Sequence, residues 1–516
     1  MDAGSVNLYS ELCVHGTADA LAFIRLPDGG AVSYGALRAQ TAQLARVLVA
    51  AGLKPGDRVA AQVEKSPTAV LLYLATLRAG GVYVPLNTAY TLAELEYFLE
   101  DAAPRVVVCV PERRREILPL AERFGGATLL TLGADAGSGT MVAAAAQEAA
   151  EFDDVARGSA DPAAILYTSG TTGRSKGAVL THGNLLSNAR ALAELWRFVP
   201  ADVLLHALPL FHIHGLFVAI NTVLAARASV LLLPKFEPTA VLAALPRCTV
   251  MMGVPTFYTR LLGEPALDPA VTARMRLFVS GSAPLLLDTH RAWRERTGHA
   301  ILERYGMSET GMNTSNPYEG ERVPGSVGPP LPGVEVRIAD PATGAPLPPG
   351  ATGGIEVRGP NVFAGYWRQP ERTRAEFRDG GWFITGDLGR IDERGYVWIV
   401  GRAKDLVISG GYNVYPKEVE EAIDALPGVG ESAVIGVPHP DFGEGVTAVV
   451  VRAEHGPATD EATIIAALRE RLAAYKIPKR VLFVAALPRN AMGKVQKAEL
   501  RRAHAALYGA SPGGRS

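Results

Sequence analysis

Cysteine is scarce in this chain: Cys13, Cys109 and Cys248 are the only three among 516 residues. Their separations give neither a zinc-ligand spacing nor a disulfide framework, which fits a reducing, cytoplasmic setting. An excess of charge is also missing. Lys and Arg number 51 against 52 Asp and Glu, for a formal net charge of −1. That balance leaves no electrostatic footprint for nucleic acid or for an acidic membrane. Long apolar runs are lacking too. Residues 218–233 come nearest, and Asn221 and Arg227 interrupt them, so no membrane span is expected. No basic-then-apolar opening resembles a signal peptide. What remains is a globular composition, with 48% hydrophobic and 20% charged residues, on a chain long enough for two or more domains.

The periodicity predicts an α/β protein. Ser33 can cap a helix running to Ala51, which Gly52 closes. Strands over 59–63, 82–84 and 106–110 alternate with helices over 67–79 and 91–101. This order argues for parallel sheets covered by helices. The pattern resumes with strands over 203–208, 229–233, 249–253 and 277–280 and a helix over 216–226. Residues 134–151, rich in Ala and Gly, read as a loose surface excursion. Beyond Pro324, Gly and Pro become dense and short strands follow at 335–338, 354–358 and 396–400, a β-rich subdomain over about 324–400. A boundary near residue 402 leaves 403–516 as a small α+β unit. Its helices are expected over 416–425 and 461–472, and its strands over 432–437, 447–451 and 480–483.

The densest chemical signal is TSGTTGRSKG at 168–177, which follows the apolar run Ala163-Ala164-Ile165-Leu166-Tyr167. Its glycines let backbone N–H groups approach a ligand, its hydroxyls donate, and Lys176 adds a compact cation. Such a mixture suits a polyphosphate, although the Walker spacing G-x-x-x-x-G-K-[ST] cannot be aligned to it. A Ser/Thr/Gly linker shares the composition, but not the strand before it or the lysine within it. In Tyr305-Gly306-Met307-Ser308-Glu309-Thr310, a carboxylate beside two hydroxyls suits Mg²⁺; a helix cap would use the same residues. In Phe383-Ile384-Thr385-Gly386-Asp387-Leu388-Gly389, a lone carboxylate after a strand suits ribose hydroxyls, or forms an Asx-turn. Lys494, in Pro488-Arg489-Asn490-Ala491-Met492-Gly493-Lys494, sits in a polar loop, where most lysines are merely solvated. His212 and His214 have a strand-type metal spacing but no third ligand cluster. Asp441-Phe442-Gly443 matches a kinase tripeptide without the other kinase segments.

The order of these segments is more specific than any one of them. With GRAKDLVISGGYNVYPKEVE at 401–420 and PRNAMGKVQK at 488–497, the chain resembles the adenylate-forming superfamily of acyl-CoA synthetases, adenylation domains and luciferases. The resemblance implies a large N-terminal domain over 1–402, a hinge at Lys404 and a mobile C-terminal lid over 403–516. It implies ATP, Mg²⁺ and coenzyme A as cofactors and a small carboxylic acid as substrate. ATP contacts would come from Thr168, Ser169, Gly170, Thr171, Thr172, Gly173 and Lys176. Further contacts would come from Gly281, Ser282, Ala283, Glu303, Arg304, Tyr305, Gly306 and Ser308, with Tyr305 packing on adenine. Glu309 would carry Mg²⁺, Asp387 and Arg402 would meet the ribose, and Lys494 would bridge substrate carboxylate and ATP. Gly410, Gly411 and Tyr412 would line the pantetheine channel.

The segments at 208–215, 279–286, 305–317 and 361–367 look most like the malonyl-CoA synthetases within that superfamily. That likeness implies that Arg291 holds the far carboxylate of a diacid and that His212, Ser280 and Met307 border the acyl group. Arg291 also lies four residues before Glu295, where a plain surface ion pair is expected, and Met307 can equally be a core residue. A medium-chain or aryl acyl-CoA ligase, and an enzyme that loads a carrier protein, are the alternatives on the same fold.

Overall fold

The computed structural model describes residues 6–13, 18–124, 126–135, 137–168, 175–490 and 492–508. Helix starts follow the caps written in the sequence. Ser33 accepts from the Ala36 N–H ahead of the helix Tyr34–Ala50, and Ser66 accepts from Ala69 ahead of Pro67–Arg78. Thr91 and Glu94 form a capping box at Leu92–Ala102, each satisfying a backbone donor the helix leaves unpaired.

By the density of its internal contacts the chain divides into two units. The first comprises Met1–Gly281, Leu287–Val336 and Val357–Phe383; the second comprises Ser282–Leu286, Arg337–Glu356 and Ile384–Ser516. This differs from a single cut near Lys404. Pieces of the β-rich segment go with the C-terminal unit because β-pairing gathers distant stretches of chain.

The first unit holds two large sheets. One orders Gly311–Ser315, Leu302–Met307, Leu277–Ser280, Val250–Gly253, Val203–His206, Ser229–Leu232, Ala22–Arg25 and Ala31–Ser33. Its interior pairs are parallel and its two edge strands antiparallel. The other orders Gly365–Tyr366, Lys176–Thr181, Pro162–Thr168, Val82–Pro85, Arg58–Gln62, Val106–Cys109 and Thr128–Thr131. In the second unit, Val429–His439 and Gly443–Arg452 pair antiparallel, and Arg480–Val484 adds in parallel. The helices Pro416–Asp424 and Glu461–Arg469 bury Val419, Ile423, Ile464 and Leu468 in the same core cluster as the strand residues Val434, Val446, Ala448 and Val450.

Two local expectations are corrected. The stretch 134–151 is not all loose: Thr140–Ala145 is a helix and buries Met141, an apolar anchor hidden in an Ala/Gly composition. The segment expected as one α-helix over 216–226 is a π-helix, His214–Ile220, running into the short α-helix Asn221–Ala225. At its start the Gly215 carbonyl accepts from His206 Nε2 at 2.7 Å. A Cβ at Gly215 would lie 2.0 Å from the Pro209 carbonyl oxygen, so only glycine fits. π-turns of this kind are frequent at functional sites. Among the described residues no helix is long and apolar enough to cross a membrane.

Candidate active site

Pro162–Thr168 and Lys176–Thr181 pair antiparallel, with Thr168 opposite Lys176. The glycine-rich segment therefore connects strand to strand, unlike a Walker loop, which leads into a helix. Ser169, Gly170, Thr171, Thr172 and Gly173 lie outside the described residues. Lys176, only 8% exposed, places its Nζ 2.9 Å from Glu376 Oε1 and 4.4 Å from the centre of the Tyr366 ring. Its charge is thus matched by a carboxylate of the protein itself, which the sequence reading did not foresee. Burial works to raise the Glu376 pKa, but the hydrogen bonds from Lys176 and Tyr366 outweigh it and hold the carboxyl below its usual range. The Tyr366 hydroxyl lies 2.7 Å from Glu376 Oε2 and 3.1 Å from Glu309 Oε1.

Glu309 stands in a hairpin turn. Leu302–Met307 and Gly311–Ser315 pair antiparallel, and Ser308-Glu309-Thr310 joins them, so no helix begins there and the helix-cap alternative falls. The turn needs glycine at both ends. Gly311 has φ +60°, and a Cβ on Gly306 would sit 2.0 Å from the Gly311 carbonyl oxygen. Among the described residues no group of three His, Cys, Asp or Glu gathers as a metal cage. One buried carboxylate with a hydroxyl on each side is nevertheless the donor set Mg²⁺ uses when substrate phosphates and waters supply the remaining ligands. Tyr305 is buried on the same hairpin, and Met307 is half-buried at the strand end. The Glu303 carboxylate accepts from the Gly325 N–H at 2.9 Å, a structural bond made by a residue expected at the nucleotide.

A third group lies at the strand ends beside this hairpin. Ser280 and Glu303 are register partners in neighbouring strands, which sets Gly281 against the Arg304 side chain. A Cβ on Gly281 would fall 2.5 Å from Arg304 Cζ. Arg304 is 3% exposed, and its Nε and Nη2 have no hydrogen-bond partner among the described residues; neither does the buried Ser280 Oγ. Burial pushes the guanidinium pKa down to about 9, so it stays charged near neutrality. His214 feels that charge. Burial first, then Arg304, drives the His214 pKa well below its usual value, which keeps the ring neutral. His212 joins the group by accepting from the His214 N–H at its Nδ1, 3.2 Å away. Arg304, expected beside adenine, is a buried cation with two guanidinium nitrogens unpartnered among the described residues.

Arg291 behaves otherwise. It lies on the helix Leu287–Thr297, with a side chain 69% exposed and Nη1 3.5 Å from Asp288 Oδ1. Its ion pair is therefore with Asp288, three residues before it, rather than with Glu295.

The second unit gathers the remaining candidates. Asp387 and Arg402 face each other across the strands Trp382–Ile391 and Val397–Arg402, with Arg402 Nε 2.8 Å from Asp387 Oδ1. Asp387 is thus a residue inside a strand and paired with Arg402, rather than the lone carboxylate of a turn. Lys404 occupies the 3₁₀ turn Ala403–Asp405; burial, set against the neighbouring Asp405, lowers its pKa. Lys494 belongs to a tight loop held by Asn490, whose Oδ1 accepts from the N–H groups of Met492 and Lys494 at 3.0 and 2.9 Å. Lys494 is exposed as a whole residue, but desolvation of its ammonium by the groups around it, then the nearby Arg402 guanidinium, push its pKa down to about 8, against the pull of Asp387. Gly410 and Gly411, at φ +60° and +82°, form the two-residue turn between Val407–Ser409 and Tyr412–Val414. Two successive positive φ values favour glycine strongly. Tyr412 is exposed and stacks on Tyr475 at 4.8 Å. Ser282, in a left-handed conformation at φ +70°, and Ala283 belong to this unit.

The chain belongs to the AMP-binding enzyme family, whose model matches residues 11–367; the AMP-binding enzyme C-terminal domain matches 418–494. Among solved structures it is similar to ATP-bound MatB from Rhodopseudomonas palustris. The identity is 60% and the TM-score 0.96, over 98% of this chain and 100% of that one. It is 40% identical over 488 residues to the mitochondrial malonate–CoA ligase ACSF3 of Mus musculus, covering 87% of this chain and 82% of the relative. It is 39% identical over 481 residues to a feruloyl-CoA synthase of an Amycolatopsis species, covering 92% and 94%.

Proposed function

We propose that this chain is an ATP-dependent malonate–CoA ligase, forming malonyl-CoA, AMP and pyrophosphate through malonyl-adenylate. The observation that carries the substrate is Arg304. A buried guanidinium with unmade hydrogen bonds is costly unless a carboxylate meets it. Malonate brings a second carboxylate, and a guanidinium can take it in a bidentate fork. Ser280 Oγ, equally short of a partner, supplies a donor beside it. A feruloyl group offers no anion at that place. The distal carboxylate therefore goes to Arg304 rather than to the exposed Arg291, and Met307 borders the carbon between the two carboxylates, where methylmalonate would place its methyl group.

In the first half-reaction the other carboxylate attacks the α-phosphate and pyrophosphate leaves. Two anions must meet, so the work of the protein is to cancel charge and fix geometry. Lys494 bridges the pair. Ser308 and the hydroxyls of the 168–177 loop hold the phosphates, Asp387 takes the ribose with Arg402 orienting it, and Tyr305 packs on adenine. Mg²⁺ at Glu309 neutralises phosphate charge when bound. In the second half-reaction the C-terminal lid turns about Lys404 and withdraws Lys494. The Gly410–Gly411 turn then approaches, and the CoA thiol attacks the acyl carbon and releases AMP. One lid thus presents two faces in sequence. The three buried free thiols fit a reducing, cytoplasmic compartment.

AMP or pyrophosphate release over a panel of acids tests the substrate. Malonate should exceed acetate, long-chain acids and ferulate in kcat/KM. Activity with ferulate or long-chain acids but none with malonate would reject the diacid reading and leave the family unaffected.

The pH profile tests Lys494. Its ammonium is the working form and its pKa is lowered to about 8, so the charge is lost as pH rises through that value. For the first half-reaction kcat/KM should fall above about pH 8, and the alkaline limb of kcat should lie higher, because bound phosphates favour the ammonium. A profile with no alkaline limb below about pH 10 contradicts the assignment.

A further inference from the structure

The contacts among Lys176, Glu376, Tyr366 and Glu309 form a bridge that the reaction as described does not use. Lys176 begins the strand leaving the phosphate loop. Glu376 follows the helix Pro370–Ala375, and Tyr366 lies on the strand Gly365–Tyr366, which pairs with Lys176–Thr181. Glu309 is in the hairpin turn. Four separate stretches of chain therefore converge on one chain of polar contacts, of 2.9 Å, 2.7 Å and 3.1 Å in turn. Arg372 Nε adds a contact to Glu376 Oε1 at 3.4 Å.

We propose that Glu376 and Tyr366 are positioning residues that couple Lys176 to the magnesium carboxylate, so that the position of the Lys176 ammonium and metal affinity are set together. The proposal rests on the reading of Glu309 as the magnesium carboxylate. The phenol has a single proton and faces two carboxylates, so it donates fully to only one at a time. With Glu309 committed to a divalent cation, the phenol would donate its hydrogen bond to Glu376. The other Glu376 oxygen holds Lys176. Conversely, when Lys176 leaves Glu376, that carboxylate competes for the phenol and alters the hydrogen bonding at Glu309. Stability alone accounts poorly for the arrangement, because a buried charged network is seldom better than apolar packing in the same volume. Groups that orient a metal carboxylate need these charges.

The test uses the full-length protein and measures how the binding of a non-hydrolysable ATP analogue depends on Mg²⁺, by calorimetry. Tyr366→Phe keeps the ring beneath Lys176 and its packing on Phe363, and Glu376→Gln keeps the volume. Each should raise the Mg²⁺ concentration for half-maximal binding by about tenfold. The double variant should be little worse than the more severe single one, because both cut the same bridge. Wild-type Mg²⁺ dependence in both single variants, or full additivity in the double, would overturn the coupling. Glu309→Gln is the reference: an unchanged Mg²⁺ dependence there would overturn the assignment of Glu309 itself, whereas a shift there with none in the other two would overturn only the bridge.

Discussion

Lys494→Ala is expected to stop malonyl-adenylate formation while leaving the transfer of supplied malonyl-adenylate to CoA largely intact. Attack by a carboxylate on a phosphate sets like charges against each other, so a cation placed between them counts heavily. Removing the bridging ammonium should lower kcat for pyrophosphate release on the order of a thousandfold or more. In the proposed scheme the second half-reaction involves no such meeting of anions and does not use Lys494. The Asn490 bonds to the Met492 and Lys494 N–H groups remain in the variant, so the loop keeps its shape. Separate assays of pyrophosphate release and of thioester formation decide the matter. Equal loss in both half-reactions, in a folded protein, would contradict the two-conformation scheme.

Arg304→Met should have a comparable effect for a different reason. It removes the cation but retains an unbranched side chain beside Gly281. Malonate then loses its buried counter-charge, and kcat/KM for malonate should fall about a thousandfold. Acetate, which makes no use of Arg304, should change far less. The same substitution removes an uncompensated buried charge, so the ligand-free protein should melt a few degrees higher. That pairing of lost activity with gained stability is the signature of a functional charge. Equal losses for acetate and malonate would place Arg304 in general structural support. Arg291→Ala serves as the contrast: exposed and paired with Asp288, it should leave malonate kcat/KM within a fewfold of wild type.

Much of the fold could be read locally. The caps at Ser33, Ser66 and Thr91 lie at the expected helix starts, and the strand Leu277–Ser280 has the expected ends. These succeed because a cap or a buried strand is decided by residues within one or two turns of it. The failures share the opposite cause. Glu376 escaped notice because its partner Lys176 is 200 residues away and no local pattern marks a carboxylate that will meet it. Tyr366 was one tyrosine among 16. The burial of Arg304 is not marked locally, since it depends on Gly281, 23 residues earlier and just past the end of the neighbouring strand Leu277–Ser280. Asp387 looked like a turn residue because Gly386 and Gly389 flank it, but cross-strand pairing with Arg402 keeps the strand continuous.

The sequence by itself determined the chemistry available to this protein: a glycine- and hydroxyl-rich phosphate segment, a carboxylate between two hydroxyls, and a lysine loop near the C-terminus, in an order that marks the AMP-binding enzymes. Only the tertiary structure decided which charges are already matched and which are left over. Lys176 is neutralised by Glu376, Arg291 is turned to solvent, and Arg304 is sealed in with bonds unmade. The physical reason is that the energy of a charge depends on its surroundings, and those are assembled from segments far apart in the chain.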